Sequence, residues 1–390
     1  MKEVVIVDGA RTPIGSFGGS LRDVPAAKLG AIAIREALRR SGVDPAEVED
    51  TIMGCVGQVA EDAYLARAAA LEAGIPATSN AMTVNRLCGS GLQAIISAAQ
   101  AVRAGDVRVA VAGGAENMSR LPYYVRGARW GLRMGDTVLQ DGLIAMLSDP
   151  FGSGHMGCTA ENVARRYSVT REDQDRFALE SQRRAAAAIA RGEFKDEIVP
   201  VPVPDRGGER LFDRDEHPRE TSLEKLAALK PVFQEGGTVT AGNSSGINDA
   251  GAAVVVMDGD EAVRRGLKPK ARFVGWAMAG VEPAYMGYAP AYAIPRVLEK
   301  TGLRLEDIDV VELNEAFAAQ AVAVIRDAGL DPARTNPNGG AIALGHPVGA
   351  TACILTIKAI EYLRRHGKRY ALVTMCIGGG QALAAVFERL

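Results

Sequence analysis

The chain has 390 residues, of which 47% are hydrophobic and 24% are charged, and its formal net charge is −2. This composition is typical of a folded globular protein and excludes a disordered one, while the length indicates two or three domains. The nearly balanced charge gives no electrostatic basis for binding nucleic acid or an anionic membrane. No apolar run is long enough to span a bilayer, and the N-terminus enters a strand without room for a signal peptide, so we expect a cytoplasmic protein.

The five cysteines and four histidines do not suit a metal centre or a disulfide framework. The number of cysteines is odd, no CxxC pair occurs, and no two histidines stand at the spacing by which a helix presents metal ligands. We therefore expect reduced thiols and no metal site.

Strands and helices alternate along the first part of the chain. Apolar periodicity predicts strands at 4–7, 51–56 and 107–112, and helices within 29–41, 63–72 and 88–104. This alternation predicts a parallel or mixed sheet that is covered by helices on both faces.

The C-terminal third repeats this pattern. The helix at 354–365, Gly367 and the strand at 370–374 match 92–103, Gly105 and 107–112. A second match, of 292–309 with 32–49, has nearly the same offset of about 260 residues, which indicates a duplicated α/β unit. Two such halves with βαβ crossovers are expected to stack as layered α/β domains.

Residues 119–239 interrupt the pattern and are richer in Met, Arg, Asp and Pro. They include a polar helix at 171–191, whose start from Thr170 to Asp173 predicts a capping box. We interpret this segment as an inserted loop domain that lies over the first half. The predicted units are therefore the N-terminal half, 1–118 plus 240–265, the loop domain, 119–239, and the C-terminal half, 266–390.

Cys88 stands at the start of the helix whose apolar face carries Leu92, Ile95 and Ile96. Unpaired main-chain N–H groups and the positive end of the helix dipole favour a thiolate at such a position. We therefore expect a lowered pKa and a nucleophilic sulfur. A buried structural cysteine is the alternative.

His346 lies in a glycine-rich loop, 336–349, that leads into the helix repeating the Cys88 helix. If the two halves pack about a pseudo-twofold axis, both helix N-termini face one pocket, where an imidazole can take the proton from a thiol. A capping or loop histidine is the alternative.

Cys376 and Asn314 each follow a predicted buried strand. Three glycines come after Cys376, and their main-chain N–H groups can hold an oxyanion. Asn314 suits either an N-cap or a group that orients a water or donates to a carbonyl oxygen. One nucleophilic thiol, one basic thiolate and two sets of donors together suit the making or breaking of a carbon–carbon bond between acyl thioesters.

The chain resembles the thiolase family, the acetyl-CoA C-acyltransferases, nearly from end to end. The resemblance is carried by DGARTP at 8–13, NRLCGSG at 85–91, NEAF at 314–317, GHP at 345–347 and CIGGG at 376–380. It implies a duplicated thiolase-type fold with α-β-α-β-α layers and an inserted loop domain, and a homotetramer built as a dimer of dimers.

The resemblance also implies roles for the site residues. Cys88 would carry the acyl group, His346 would activate it, and Cys376 would act as acid and base. Asn314, through a water, and His346 would form one oxyanion hole, and the amides of Cys88 and Gly378 would form the other.

Coenzyme A and its acyl thioesters are implied as substrates, with no permanently bound cofactor. The implied contacts are His155, Met156, Phe233, Ala241, Ser245, Ala316 and Phe317, with Arg219 at the nucleotide phosphates. The sequence departs from the family's pattern at Ala382, at 351–353 and in the segment 148–154. Departures near the pocket mouth leave the acyl-chain length open.

Three other functions are compatible with parts of this pattern. A 3-ketoacyl synthase-type condensing enzyme would need two histidines or a decarboxylation site in place of the second thiol. A catalytically silent CoA-binding protein would form no acyl adduct at Cys88. A cysteine hydrolase would have no need of Cys376.

Overall fold

The computed structural model describes residues 2–205 and 207–390 as a mixed α/β protein. The strands are β1 (Val4–Arg11), β2 (Gly15–Ser16), β3 (Asp50–Gly54), β4 (Asn80–Val84), β5 (Val109–Asn117), β6 (Tyr123–Tyr124), β7 (Gln140–Asp141), β8 (Ser148–Asp149), β9 (Gly154–His155), β10 (Val201–Asp205), β11 (Gly208–Phe212), β12 (Asn248–Asp258), β13 (Ala271–Gly280), β14 (Val310–Leu313), β15 (Tyr370–Ile377) and β16 (Gln381–Arg389). The helices are α1 (Ala26–Ser41), α2 (Leu65–Glu72), α3 (Ser90–Ala104), α4 (Gly142–Met146), α5 (Met156–Arg166), α6 (Arg171–Arg191), α7 (Leu223–Ala227), α8 (Gly259–Arg264), α9 (Pro290–Thr301), α10 (Ala318–Asp327), α11 (Ala341–Leu344) and α12 (Val348–His366).

The strand order of the main sheet shows the duplication. One half runs β4-β3-β5-β12-β1 and the other runs β14-β15-β16-β13. In the first half β3 pairs in parallel with β4 and β5, and in the second half β14 pairs in parallel with β15. The remaining pairs are antiparallel: β5 with β12 and β12 with β1 in the first half, and β15 with β16 and β16 with β13 in the second. A parallel bridge from Val311 to Thr335 stands where β4 stands in the first half. The predicted repeat is confirmed.

Five layers follow from where the apolar side chains lie. The central layer is the pair α3 and α12, whose side chains form one core with the inner faces of both half-sheets. Helices α1 and α2 cover the outer face of the first half-sheet, and α9 and α10 cover that of the second. β1 pairs with β13 through Val5 and Ile6, so the half-sheets join at one edge. The predicted α-β-α-β-α arrangement is confirmed.

Local sequence explains the ends of the helices. Both central helices stop at a glycine in the left-handed conformation, Gly105 after α3 (φ 88°) and Gly367 after α12 (φ 61°). α6 begins with the predicted capping box, in which Thr170 and Asp173 each bond the other's main-chain N–H. These stops and starts fix the lengths of the helices and hence where their ends meet the active site.

The segment 119–239 contains α4 to α7 and three two-stranded hairpins, β6–β7, β8–β9 and β10–β11. Its division from the two halves as a separate loop domain, with the boundaries given above, stays a prediction. Over the described residues, no helix combines the length and apolarity needed to cross a bilayer.

Candidate active site

Cys88 lies in the turn between β4 and α3, just before the first helical residue, Ser90. Leu87 adopts a positive φ of 46°, which is unfavourable for a residue with a side chain. Two side chains hold this turn: Oδ1 of Asn85 accepts from the N–H of Leu87 at 3.0 Å, and Oγ of Ser90 donates to the carbonyl of Leu87 at 2.6 Å. The same Oγ accepts from the N–H of Arg86 at 2.9 Å. The sulfur is thus presented by a rigid turn.

The turn at Cys88 packs on the glycine turn after Cys376. A Cβ on Gly89 would lie 2.5 Å from Cδ1 of Ile377, and one on Gly378 would lie 3.1 Å from Cδ1 of Leu87. The main-chain N–H of Gly378 acts to lower the pKa of Cys88. Residues from opposite halves of the duplicated chain therefore meet at this sulfur.

Burial raises the pKa of Cys88 to about 11, although the N–H groups of Gly378 and of Cys88 itself act to lower it. The sequence-based expectation of a lowered pKa is wrong for this structure. The loss of solvation outweighs the effect of these two N–H groups. At neutral pH the group is a thiol that needs a proton acceptor.

Cys376 is the penultimate residue of β15 and is fully buried. Gly379 and Gly380 have φ of 80° and 84°, and this reverses the chain so that Ile377 pairs with Gln381 of β16. Burial raises the pKa of Cys376 well above its usual range, and a negative charge on Cys88 would raise it further. The two sulfurs lie close enough to influence each other's ionisation.

His346 is buried at the entrance to α12, between Gly345 and the N-cap Pro347. Its main-chain N–H donates to Oδ1 of Asn248 at 2.9 Å. Its Nδ1 lies 2.7 Å from Oγ1 of Thr351. Burial lowers the pKa of the imidazole to about 4, so the ring is neutral at physiological pH.

Asn314 follows β14 and faces His346. Its Nδ2 lies 3.3 Å from Nε2 of the imidazole. Its Oδ1 is buried and has no hydrogen-bond partner among the described residues. Its main-chain N–H bonds the carbonyl of Thr374 at 3.0 Å, so the side chain is not needed to hold the strand end. The first turns of α3 and α12 also touch, since a Cβ on Gly91 would lie 2.8 Å from the N of Cys353.

A wall of apolar side chains surrounds Cys376 on the side of α5 and α10. It is formed by Met156, Ala160, Phe233, Met286, Ala316 and Phe317. The ring of His155 stacks on that of Phe233 at 4.8 Å, and Phe233 meets Phe317 edge to face at 6.0 Å. This wall contains four of the predicted coenzyme A contacts, and a fifth, His155, stacks on it.

The remaining predicted contacts continue outward from this wall. The N–H of Ser245 donates to the carbonyl of Ala316 at 3.0 Å. Nη2 of Arg219 donates to the carbonyl of Ala241 at 3.1 Å. Arg219 also lines a cavity of about 460 Å³ together with Gln182, Arg183 and Thr221. The predicted contacts thus form a path from the buried thiol to an arginine-bearing surface cavity.

Sequence reasoning missed three residues that support this site. Thr351 was noted only as a departure from the family's pattern, and Asn248 and Glu116 were not identified at all. The carboxylate of Glu116 is buried and accepts from the N–H groups of Val56, Gly57 and Gly349 at 2.8–3.0 Å. Only Thr351 gave a sequence signal, because it stands five residues after His346 in the first turn of the helix that His346 precedes. The other two residues are brought in by the fold.

Within the ranges 2–205 and 207–390, no group of three or more His, Cys, Asp or Glu side chains is arranged to hold a metal ion. The site described above is built from thiols, an imidazole, an amide and main-chain N–H groups.

Family models match almost the whole chain. Residues 4–260 match the thiolase N-terminal domain and residues 267–389 match the thiolase C-terminal domain. The chain belongs to the thiolase family. The resemblance inferred from the sequence motifs is therefore confirmed.

Relatives of this thiolase are similar over their full length. It is 56% identical to β-ketothiolase BktB of Cupriavidus necator and 50% identical to an acetyl-CoA acetyltransferase of Pseudomonas aeruginosa, with 100% of each chain covered in both cases. Among solved structures, the acetyl-CoA acetyltransferase of Bacillus anthracis matches with a TM-score of 0.98 at 45% identity, covering 100% of this chain and 99% of the other. Human mitochondrial 3-ketoacyl-CoA thiolase in complex with CoA matches with a TM-score of 0.97 at 43% identity, covering 100% and 98%. These matches confirm the thiolase fold.

Proposed function

We propose that this thiolase transfers acyl groups between coenzyme A thioesters by making or breaking a carbon–carbon bond. In the synthetic direction two acetyl-CoA give acetoacetyl-CoA and free CoA; in reverse, a 3-ketoacyl-CoA is cleaved by CoA. The names of the full-length relatives support this reaction. The single observation that carries it is that the turn at Cys88 packs against the glycine turn after Cys376, which belongs to the opposite half of the chain.

The first step is acylation of Cys88. The sulfur attacks the thioester carbonyl as its proton moves to Nε2 of His346, which is neutral because burial lowers its pKa to about 4. The oxygen of the tetrahedral intermediate accepts from the N–H groups of Cys88 and Gly378. Coenzyme A then leaves as a thiolate, which takes a proton from Cys376, while the proton of Cys88 stays on His346, so one thioester replaces another.

The second step uses Cys376 as the base. In the first step it gives its proton to the departing CoA, and its thiolate then removes a proton from the α-carbon of the second acyl-CoA. The enolate oxygen accepts from the Nε2–H of the protonated His346 and from a water held by Asn314. The enolate carbon attacks the acyl carbonyl on Cys88 and releases the Cys88 thiolate, which takes its proton back from His346, while Cys376 keeps the proton from the α-carbon.

Coenzyme A is proposed to lie along the path from Cys376 to Arg219. Met156, Phe233, Ala316 and Phe317 would contact the acyl and pantetheine portions, with His155 stacked behind Phe233. Ala241 and Ser245 would contact the pantetheine amides, and Arg219 would meet the phosphates. The exposed guanidinium beside a surface cavity supports the last assignment.

The family match favours thiolase chemistry over a 3-ketoacyl synthase-type enzyme or a catalytically silent homologue. A cysteine hydrolase would not use the second thiol, Cys376. Turnover of a malonyl thioester, with no thiolysis of acetoacetyl-CoA, would support the synthase instead.

Incubation with labelled acetyl-CoA tests the proposal. The wild-type chain should retain label as an alkali-sensitive thioester and should cleave acetoacetyl-CoA when CoA is added. Cys88→Ala should do neither, because it lacks the nucleophile. Label that still attaches to Cys88→Ala would contradict the assignment. Rates for a series of 3-ketoacyl-CoA lengths would establish the chain-length preference.

The proposed assembly is a homotetramer in the cytoplasm that takes part in fatty acid metabolism. A dimer of dimers needs two different contacts between subunits, and two separate surfaces of the chain are suited to form them. β4 is an edge strand of the main sheet. The segment 123–139 exposes large apolar side chains, including Trp130, Met134 and Val138.

A further inference from the structure

We infer that Thr351 is a positioning residue that sets the tautomer of His346, keeping the proton on Nδ1 and leaving on Nε2 a lone pair that can take the proton of the reacting sulfur. This inference rests on the proposed function. It concerns a residue that sequence analysis recorded only as a departure from the family's pattern.

The hydrogens around Thr351 can be assigned one by one. Its hydroxyl carries a single hydrogen, and Oγ1 lies 2.9 Å from the carbonyl oxygen of Pro347, which can only accept. We assign that hydrogen to the bond within the helix, the same bond that Thr356 makes to Ala352. Oγ1 then accepts from Nδ1–H of His346 across the contact of 2.7 Å.

A second contact agrees with this assignment. In a neutral ring with a proton on Nδ1, Nε2 has a lone pair and accepts. The group 3.3 Å away is the amide nitrogen of Asn314, which can only donate. Two partners on opposite sides of the ring thus agree with the same tautomer.

This arrangement suits the proposed proton transfer. Nε2 can accept the proton of Cys88 without any change at Nδ1. When the ring becomes positively charged, the Thr351 oxygen still accepts from Nδ1–H, so no group needs to rotate. A ring with the opposite tautomer would place its hydrogen towards the thiol and could not act as the base through that nitrogen.

The chain offers a matched control on the same helix. Thr356 is also buried in α12 and donates to the carbonyl of Ala352 at 2.9 Å, which is the same bond that Thr351 makes to Pro347. Among the described residues, Thr356 makes no hydrogen bond to a histidine. Thr356→Val therefore reproduces the loss of a buried hydroxyl and its helical hydrogen bond without changing the partner of His346.

The experiment compares Thr351→Val, Thr351→Ser and Thr356→Val with the wild-type protein, each in the assembly in which it is purified. The first readout is the kinetics of acetoacetyl-CoA thiolysis. For Thr351→Val we expect kcat to fall on the order of 10- to 100-fold, as when an outer partner that orients a histidine is removed, with KM nearly unchanged. Thr351→Ser should restore most of the rate, and Thr356→Val should keep it.

The second readout is independent of activity. Selective ¹⁵N labelling of the histidines gives only four residues to assign, and His346→Asn identifies the signals of His346. Long-range ¹H–¹⁵N spectra distinguish a protonated ring nitrogen from one with a lone pair. In the wild type, Nδ1 should be protonated and Nε2 should not; in Thr351→Val the two forms should mix.

The outcomes separate this inference from the proposed function. A wild-type spectrum with the proton on Nε2 overturns the inference even if thiolysis is normal. A Thr351→Val variant whose spectrum and kcat match those of Thr356→Val overturns it as well. Absence of thiolysis in the wild type, with the expected spectrum, contradicts the proposed function while the tautomer assignment stands.

Discussion

Nδ2 of Asn314 lies 3.3 Å from Nε2 of His346, although one residue follows a strand and the other precedes a helix. Both are buried, and the main chain of each is held by other partners: Thr374 for Asn314 and Asn248 for His346. The side-chain contact is therefore free to serve the chemistry at Nε2 rather than the fold.

Replacement of this amide should reduce turnover more than binding. For Asn314→Ala we expect kcat of thiolysis to fall about 100- to 1,000-fold, the usual effect of removing one oxyanion-hole donor. Asn314→Asp keeps the shape but presents an acceptor to Nε2, so it should not restore the rate. Steady-state kinetics on acetoacetyl-CoA provide the measurement, and a rate within a factor of a few of wild type in Asn314→Ala would remove Asn314 from the mechanism.

Cys376→Ala should separate the two proposed half-reactions. Acylation of Cys88 needs His346 and Gly378, so labelled acetyl groups should still attach. Condensation and the exchange of α-hydrogens need the second thiol and should be lost. Cys353→Ala, which removes another fully buried thiol in α12, is the control. If Cys376→Ala still introduces deuterium into acetyl-CoA at the normal rate, the base lies elsewhere.

Periodicity and repetition were sufficient to predict the architecture. The glycine stops at Gly105 and Gly367 and the matching offsets in the sequence predicted the two halves that the sheet order shows. The helix Arg171–Arg191 has the predicted bounds because its capping box and its glycine stop are both local signals. The short hairpin β8–β9 carries no comparable signal, since its strands have two residues each.

The candidate site was only partly predictable. The motifs indicated Cys88, His346, Cys376 and Asn314, and the structure brings their surroundings together, while their roles stay predictions. The pKa of Cys88 was not predictable from its place before a helix, because burial depends on residues from the other half of the chain. Asn248 and Glu116 were missed because each lies far in sequence from the segment it supports: Asn248 accepts from the N–H of His346, and Glu116 accepts from that of Gly349.

The proposed tetramer depends on side chains that protrude from residues 123–139. Met134 and Val138 are 103% and 79% exposed, so they contribute little to the fold of the isolated chain. Met134→Asp with Val138→Asp should shift the sedimentation coefficient to a smaller assembly, with the circular dichroism spectrum unchanged. Val263→Asp is the control: Val263 is 77% exposed on α8, and its replacement should leave the sedimentation coefficient unchanged. An unchanged assembly in the double variant would exclude this surface as an interface.

Glu116 links the two halves, because its carboxylate accepts from Val56 and Gly57 on one side and from Gly349, in the first turn of α12, on the other. Burial raises its pKa from 4.5 to about 7. Between pH 4.5 and about 7, Glu116 keeps its proton in the folded chain and releases it in the unfolded chain. The contribution of Glu116 to the free energy of unfolding is therefore greatest below pH 4.5 and declines as the pH rises through 7.

Glu116→Gln should remove this pH dependence. At 1.36 kcal/mol per pKa unit, the difference in unfolding free energy between wild type and variant should shift by about 3 kcal/mol in favour of the variant between pH 4.5 and pH 8. Urea unfolding at a series of pH values measures it. Glu299→Gln, at an exposed position of α9, is the control and should leave the wild-type profile unchanged. A Glu116→Gln profile parallel to that of wild type would show that Glu116 is already ionised throughout this range, and that its three N–H donors outweigh its burial.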